Sequence, residues 1–317
     1  MNYIFIIVAL FVFELIYFSI ANRFNIIDKP NERSSHSEIT IRGGGIIFYI
    51  AILLFFILND FQYPLFVLGL TAVAVLSLLD DILTLSSKIR LPIQFLSVGL
   101  MLYQVLGNQW LLLVIGLIIA TGILNAYNFM DGINGITGIY SLSVLLSLAY
   151  LNLEIEFIDF NFLYYSILGV VVFNFFNVRK KAKCFAGDVG SVSIAMIVMF
   201  SLLQLINATG NLVYILFLAV YGIDSILTII HRLTKKENIF EAHRSHLYQW
   251  LVKPGPFSQL QMAMFYGLSQ LLINVLVIQS ANASLIFQLS ISSAIIIVLL
   301  IVYIVVKLKY IKKYNLV

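Results

Sequence analysis

Charged residues are scarce in this sequence: Asp, Glu, Lys and Arg make up 11% of 317 residues, against 61% hydrophobic residues. So few charges cannot cover the surface of a soluble domain, which excludes a water-soluble globular enzyme. Cysteine is scarcer still. Cys184 stands alone, which excludes an internal disulfide and any cysteine-built metal cluster. The apolar runs, such as Ala294–Val306, lack the dyad alternation of a transmembrane barrel. Met1–Ile20 lacks a leading basic region, which argues against a cleavable signal peptide. Internal repeats and low-complexity linkers are also absent.

What is present is a series of eleven apolar spans, at about 1–20, 43–58, 64–79, 93–106, 110–124, 139–153, 162–177, 191–206, 211–230, 257–278 and 284–306. Spans of this length suit helices crossing a hydrocarbon core about 30 Å thick. The expected fold is therefore all-α: one polytopic membrane domain, 1–317, with about eleven transmembrane helices. All 19 Lys and Arg residues fall in the segments that follow odd-numbered spans. Random choice of side would give this about four times in a million, so the positive-inside rule sets the expected orientation. The amino terminus is expected outside and the carboxyl terminus in the cytoplasm. The net charge of +4 is dispersed among short segments, which does not fit nucleic-acid binding.

The expected cytoplasmic loops, 21–42, 80–92, 125–138, 178–190 and 231–256, are more specific than connectors need to be. Asp80 and Asp81 are adjacent carboxylates at the mouth of a span, costly there unless a cation or donors sit between them. Asn125, Asn128 and Asp131 recur at spacing three, a face suited to a polar ligand with both donors and acceptors. Asp188 lies in Gly187-Asp188-Val189-Gly190-Ser191, immediately before a span whose helix amino terminus favours anions. Taken singly, each has a plainer reading as a solvated helix end or a cap. Jointly they put four carboxylates from three segments at one membrane depth, a fitting supply for Mg²⁺, which commonly takes one or two carboxylates plus substrate phosphates. Arg42, Lys183 and Arg244, with His243 and His246, could hold phosphate oxygens. Lys88, Lys235, Lys236 and the Lys307–Lys313 tail are read as holding orientation and the anionic leaflet. Asp224 and Glu14 lie within spans, where a carboxylate is functional by default. Glu14 has no motif around it.

These motifs together resemble the polyprenyl-phosphate N-acetylhexosamine-1-phosphate transferase family, whose relatives include the phospho-N-acetylmuramoyl-pentapeptide transferase. The likeness runs from Asp28 to about Leu251: DKPNERSSH…RGGG, Asp80-Asp81, NxxNFMDGxxG, GDVGS, Asp224-Ser225 and HRSHLYQ. It implies a bacterial inner-membrane enzyme with a cytoplasmic active site. The enzyme would transfer a sugar 1-phosphate, of N-acetylhexosamine type, from a UDP-sugar to undecaprenyl phosphate and release UMP, beginning a cell-envelope polysaccharide. The implied cofactor is Mg²⁺, with Mn²⁺ as the alternative ion. By motif match, Asp188 resembles the metal ligand, and Asp80 and Asp81 the essential pair acting on the lipid phosphate or the metal. Asp131 with Asn128 resembles the nucleotide-side cluster, Phe185 the aromatic near the uracil, and His243, Arg244 and His246 the loop on the sugar and phosphates.

The chain departs from the family pattern at Asn134, where many relatives have Asp, at Lys180-Lys181 in place of Pro-Pro, and at Ala186 in place of Met. The RGGG and HRSHLYQ forms resemble the branch that initiates lipopolysaccharide O-antigen synthesis, rather than the pentapeptide branch. The rival reading from the residues alone is a transporter or lipid-carrier flippase using Asp224 and Glu14. The sugar, a homodimer, and direct displacement against a covalent intermediate stay open at this stage.

Overall fold

The computed structural model describes residues 3–28, 39–83, 85–238 and 244–314. Its elements are α1 (Tyr3–Arg23), a two-stranded antiparallel ribbon of β1 (Ile27–Asp28) and β2 (Thr40–Ile41), and α2 (Ile46–Leu58). There follow α3 (Pro64–Leu83), α4 (Ser87–Leu106), α5 (Trp110–Met130), α6 (Ile136–Ile155), α7 (Phe160–Asn177) and α8 (Gly187–Thr209). A 3₁₀ segment, Leu212–Leu218, runs into α9 (Ala219–Thr234), and the chain closes with the short α10 (Leu247–Val252), α11 (Gln259–Ser280) and α12 (Leu285–Tyr314).

Each of the eleven spans read from the sequence falls on one helical element. Among the described residues, ten are long and apolar enough to cross a membrane, the 3₁₀ segment and α9 counting as one. The exception is α2, whose 13 residues reach only about 20 Å. The helix ends differ from the apolar limits in a way that matters for the site. Helix α3 continues to Leu83, α5 to Met130, and α8 begins at Gly187. Asp80, Asp81, Asn125, Asn128 and Asp188 therefore stand on helices, not in the loops expected at 80–92, 125–138 and 178–190. Hydropathy falls where polar side chains begin, but a helix goes on satisfying its own backbone for as long as neighbours protect it.

Helix α8 is the core. Every residue from Val189 to Leu202 is buried, as expected of a helix apolar on all sides. At its amino terminus α8 meets the turn before α2 with no room between the backbones: a Cβ on Gly190 would stand 2.5 Å from the Gly45 Cα. The break in the ninth span has a specific support in Gln270 of α11. Its Oε1 accepts from the Val220 N–H at 3.0 Å, and its Nε2 donates to the Leu216 carbonyl at 2.9 Å and to Asn274 at 2.7 Å. One side chain thus satisfies a donor and an acceptor where the helix changes pitch, as apolar surroundings require. Helix α12 is the least enclosed, burying only Ile295, Tyr303, Lys307 and Tyr310.

Gly190→Ala is expected to force α2 and α8 apart, costing about 1–3 kcal/mol. A thermal denaturation midpoint in detergent clearly below that of the parent chain, with Gly222→Ala as the unhindered control, checks this. An added Cβ on Gly222 meets nothing within 4 Å.

Candidate active site

At the end of the bundle where α3 stops and α8 starts, three carboxylates and two guanidinium groups interlock. Asp81, in the last turn of α3, accepts the backbone N–H groups of Asp188 at 3.0 Å and Val189 at 3.1 Å. It is thus a cap supplied to α8 by a neighbouring helix, occupying donors that α8 cannot satisfy itself. Arg42 Nε lies 2.6 Å from the same carboxylate. Gly187, at φ +70°, permits the approach, since a Cβ there would stand 2.6 Å from Asp81 Oδ2.

Asp80 faces the other way. It accepts from the Leu85 N–H and from Arg90 Nη1, each at 2.5 Å. Asp188 lies between the two pairs, with Arg42 Nη2 at 3.7 Å from one oxygen and Arg90 Nη1 at 3.4 Å from the other. Its side chain is 19% exposed, against 7% for Asp80 and 0% for Asp81. Asp188 is therefore the carboxylate of the three that an incoming ligand can reach most easily.

The surrounding chain is pinned by side chains from neighbouring elements. The Tyr17 hydroxyl of α1 donates to the Arg42 carbonyl at 2.6 Å. Phe185 N–H donates to the Ile41 carbonyl at 2.8 Å, and the Phe185 carbonyl accepts from Gly44 at 2.9 Å, so the segment around Cys184 runs beside β2. Asn177, at the end of α7, donates to the Cys184 carbonyl at 2.8 Å and accepts from the Gly135 N–H at 2.7 Å. Beneath this floor is Glu14, fully buried, with the Cys184 thiol 3.7 Å from Oε1.

The second polar face lies along the end of α5. Asn128 Oδ1 accepts from Ser191 Oγ at 3.1 Å, which joins this face to the first turn of α8. Asn125 donates to the Thr121 carbonyl at 2.8 Å and reaches Gln94 at 3.5 Å. Asp131 accepts from the Thr137 hydroxyl at 2.6 Å. Burial pushes its carboxyl up to about 6, with the Thr137 bond opposing and the charge of Asp81 adding to the rise.

The fifth segment is tied elsewhere than expected. His246 is buried, its Nδ1 3.2 Å from Oδ1 of the intramembrane Asp224, and the Leu247 N–H donates to that same oxygen at 3.0 Å. Arg244 is half-buried, and its carbonyl accepts from Trp250 Nε1 at 2.8 Å. Tyr248 carries the segment back toward α5 by donating to the Phe129 carbonyl at 3.1 Å. Lys183 is exposed, and no ion pair among the described residues joins it to the carboxylates. His243 lies outside the described residues.

An apolar cavity of about 960 Å³ opens between α9, α11 and α12, with Asp224 and Tyr266 on its wall. Its lining includes none of Asp80, Asp81, Asp131 or Asp188, and its character suits lipid chains, not a nucleotide.

The family described as glycosyl transferase family 4 matches residues 63–206, which contain α3 through most of α8 and all four clustered carboxylates. The undecaprenyl-phosphate alpha-N-acetylglucosaminyl 1-phosphate transferase of Pasteurella multocida (strain Pm70) is 31% identical over 264 residues, 74% of each chain. The chain belongs to the polyprenyl-phosphate N-acetylhexosamine-1-phosphate transferase family. A protein of Bacillus subtilis (strain 168) named as a probable undecaprenyl-phosphate N-acetylglucosaminyl 1-phosphate transferase is 25% identical over 290 residues, covering 83% of this chain and 80% of that one.

Membership in this transferase family removes the support for the transporter reading. The geometry agrees, because Asp224 is already taken up by His246, Leu247, Thr228 and Tyr266.

Among the described residues, no three His, Cys, Asp or Glu side chains stand close enough to hold a metal ion by themselves. Mg²⁺ does not need such a cage, because substrate phosphates and water complete its octahedron. Asp80 and Asp188 share one partner, Arg90 Nη1, at 2.5 and 3.4 Å. Two carboxylates, one of them partly exposed, are the supply that Mg²⁺ takes beside phosphate oxygens, so the donor set fits one divalent ion on Asp188 with Asp80.

Arg90 is the participant that sequence reasoning passed over, counted there only toward orientation. Its signal was present: with Lys88, it is one of two cations in the segment that follows the aspartate pair. Ser191 was visible only as part of GDVGS, and nothing in its spacing points to Asn128.

Asp81→Asn and Asp188→Asn are expected to part company. Losing the Asp81 charge leaves Arg42 and the α8 donors poorly matched, costing about 2–3 kcal/mol and lowering the melting midpoint. Asp188→Asn should leave stability within about 0.5 kcal/mol while turnover disappears. Scanning calorimetry beside an activity assay separates the two.

Asp131 gives a pH test. Its carboxyl rises from 3.8 to about 6 in the folded chain, so the folded state holds a proton that the unfolded state releases. This contribution to stability is present below about 4 and lost as pH rises through about 6. Asp131→Asn should abolish that part of the decline, which denaturation curves taken at intervals from pH 4 to 7 would register.

Proposed function

We propose that this chain transfers the sugar 1-phosphate of a UDP-N-acetylhexosamine to undecaprenyl phosphate at the cytoplasmic face of a bacterial plasma membrane. The products are undecaprenyl-pyrophosphoryl-sugar and UMP, and the lipid product begins a cell-envelope polysaccharide. The one-sided Lys and Arg distribution supports the cytoplasmic placement. The names of the Pasteurella and Bacillus relatives support the lipid acceptor and the sugar class. The observation that carries the reading is Asp188 at the head of α8, flanked by Arg42 and Arg90 and backed by Asp80 and Asp81.

In the proposed reaction an oxygen of the lipid phosphate forms a bond to the β-phosphorus of the UDP-sugar. The bond from that phosphorus to the α–β bridging oxygen breaks, and UMP leaves with the bridging oxygen and its electron pair. A phosphate monoester has a second pKa of about 6, so the nucleophile is largely dianionic at neutral pH and no strong base is required. Charge stabilisation and alignment then supply most of the catalysis. Arg42 and Arg90, which flank Asp188, would receive phosphate oxygens on either side of it. Asp81 is committed to the α8 backbone, so it holds this geometry and does not act as a free base. Asp188 with Asp80 would hold Mg²⁺, which when bound neutralises pyrophosphate charge. The polar face of Asn125, Asn128 and Asp131 is assigned to the nucleotide, with Phe185 near the uracil and Arg244 toward the sugar and phosphates, while His246 is spent on Asp224 and holds the segment.

Purified protein supplied with Mg²⁺, undecaprenyl phosphate and radiolabelled UDP-N-acetylglucosamine is expected to move label into the lipid phase and release UMP in equal amount. Its galacto epimer and 6-deoxy UDP-sugars, run in parallel, identify the donor. Failure of the whole panel in membranes that contain folded protein overturns the proposal.

A further inference from the structure

Lys307 occupies a position where a lysine ordinarily reaches out of a spanning helix toward the lipid head groups. The structure turns it inward instead, with only 4% of its surface exposed. Its ammonium donates to the Tyr303 hydroxyl at 2.5 Å and to the Ser245 carbonyl at 3.1 Å, and it sits 4.9 Å from the centroid of the Trp250 ring. Trp250 in turn donates to the Arg244 carbonyl. One buried cation on the least enclosed helix therefore holds the Ser245 carbonyl directly and stands against the ring of the tryptophan that holds the preceding one.

The contacts close into a ring. From Lys307 the path runs to Tyr303, whose hydroxyl is 2.9 Å from Thr228, and Thr228 donates to Asp224 at 3.2 Å. Asp224 accepts from Leu247 and pairs with His246, and the backbone returns through Ser245 to Lys307. Tyr266 donates to the remaining Asp224 oxygen at 2.7 Å. The same segment then leans on α5, where Tyr248 reaches the Phe129 carbonyl two residues before Asp131. Every member is a charged or polar group in low dielectric, where a matched network is rigid and a broken one is costly.

We propose that Lys307 is a positioning residue: from α12 it holds residues 244–248 against Asp224, so that Arg244, at the head of that segment, meets the nucleotide-sugar in one fixed arrangement. This rests on the transferase reading above. It predicts a split in kinetics, because the ring touches neither Asp80 nor Asp188 nor the two arginines beside them. Lys307→Met keeps most of the side-chain volume and removes the three donors of the ammonium.

The test combines kinetics with a signal that needs no turnover. Trp110 and Trp250 are the only tryptophans, so Trp110→Phe leaves Trp250 as the sole reporter. In that background Lys307→Met is expected to raise KM for the UDP-sugar about 10- to 100-fold, with kcat and KM for the lipid phosphate changed less than about threefold. Trp250 emission should move to longer wavelength and become more open to iodide quenching. A fall in kcat at unchanged KM overturns the proposal, as does unaltered Trp250 emission and quenching. If the parent chain transfers no sugar from any donor, the transferase reading fails, and the Trp250 signal still decides whether Lys307 holds the segment. Should Lys307→Met fail to fold, Tyr303→Phe removes the hydroxyl that joins Lys307 to Thr228 while keeping the Lys307 bond to Ser245. A rise in KM of about threefold is then expected, and none overturns the ring.

Discussion

The carboxylate of Asp81 is the contact on which the rest of the site depends. It comes from the end of one helix and satisfies the first backbone donors of another, while Arg42 closes over it from the turn before α2. Three segments distant in sequence are thereby fixed around one buried charge. A helix amino terminus draws anions to it, and here the protein supplies its own. That leaves Asp188, one residue into α8, free to face outward. Two adjacent aspartates can thus differ in task because α3 turns their side chains in different directions, one to scaffold and one to Arg90.

The same economy of contacts explains why so much polar structure survives inside an apolar bundle. Gln270 satisfies the change of pitch in the ninth span, Asn177 holds two loops, and Asp224 gathers four donors. Each is a single side chain answering several backbone or side-chain groups, as expected where water cannot help. Helix α8 is the hub because it is apolar throughout its middle and glycine-bearing at its start, where α2 can come close.

Much of this was legible before any coordinates. Hydropathy marked all eleven spans, since apolar length is a direct consequence of bilayer thickness. The Asp80-Asp81, Asn128–Asp131 and GDVGS motifs marked residues that do converge, because charge and amide groups beside apolar spans have few reasons to be there. What could not be read was partnership. Nothing in HRSHLYQ shows that His246 turns toward Asp224, because that contact depends on how the ninth span and the segment after it pack. Arg90 was hidden for the opposite reason, a cation among cations whose role in orienting the chain was explanation enough. Lys307 was read with the tail because a lysine after an apolar run is ordinarily a lipid anchor, and only the packing of α12 against residues 245 and 250 reverses that. Helix ends were missed by several residues wherever polar side chains continue a helix past its apolar length.

Cys184 lies sealed beneath Gly44, its thiol turned toward Glu14. As the sole thiol of the chain, and one without solvent exposure, it leaves the native protein silent toward aqueous alkylating reagents. The molecule is thus already its own cysteine-free background. A thiol introduced at any surface position could be modified selectively without first deleting a native one, and so without disturbing the floor on which Arg42 and Asp81 rest.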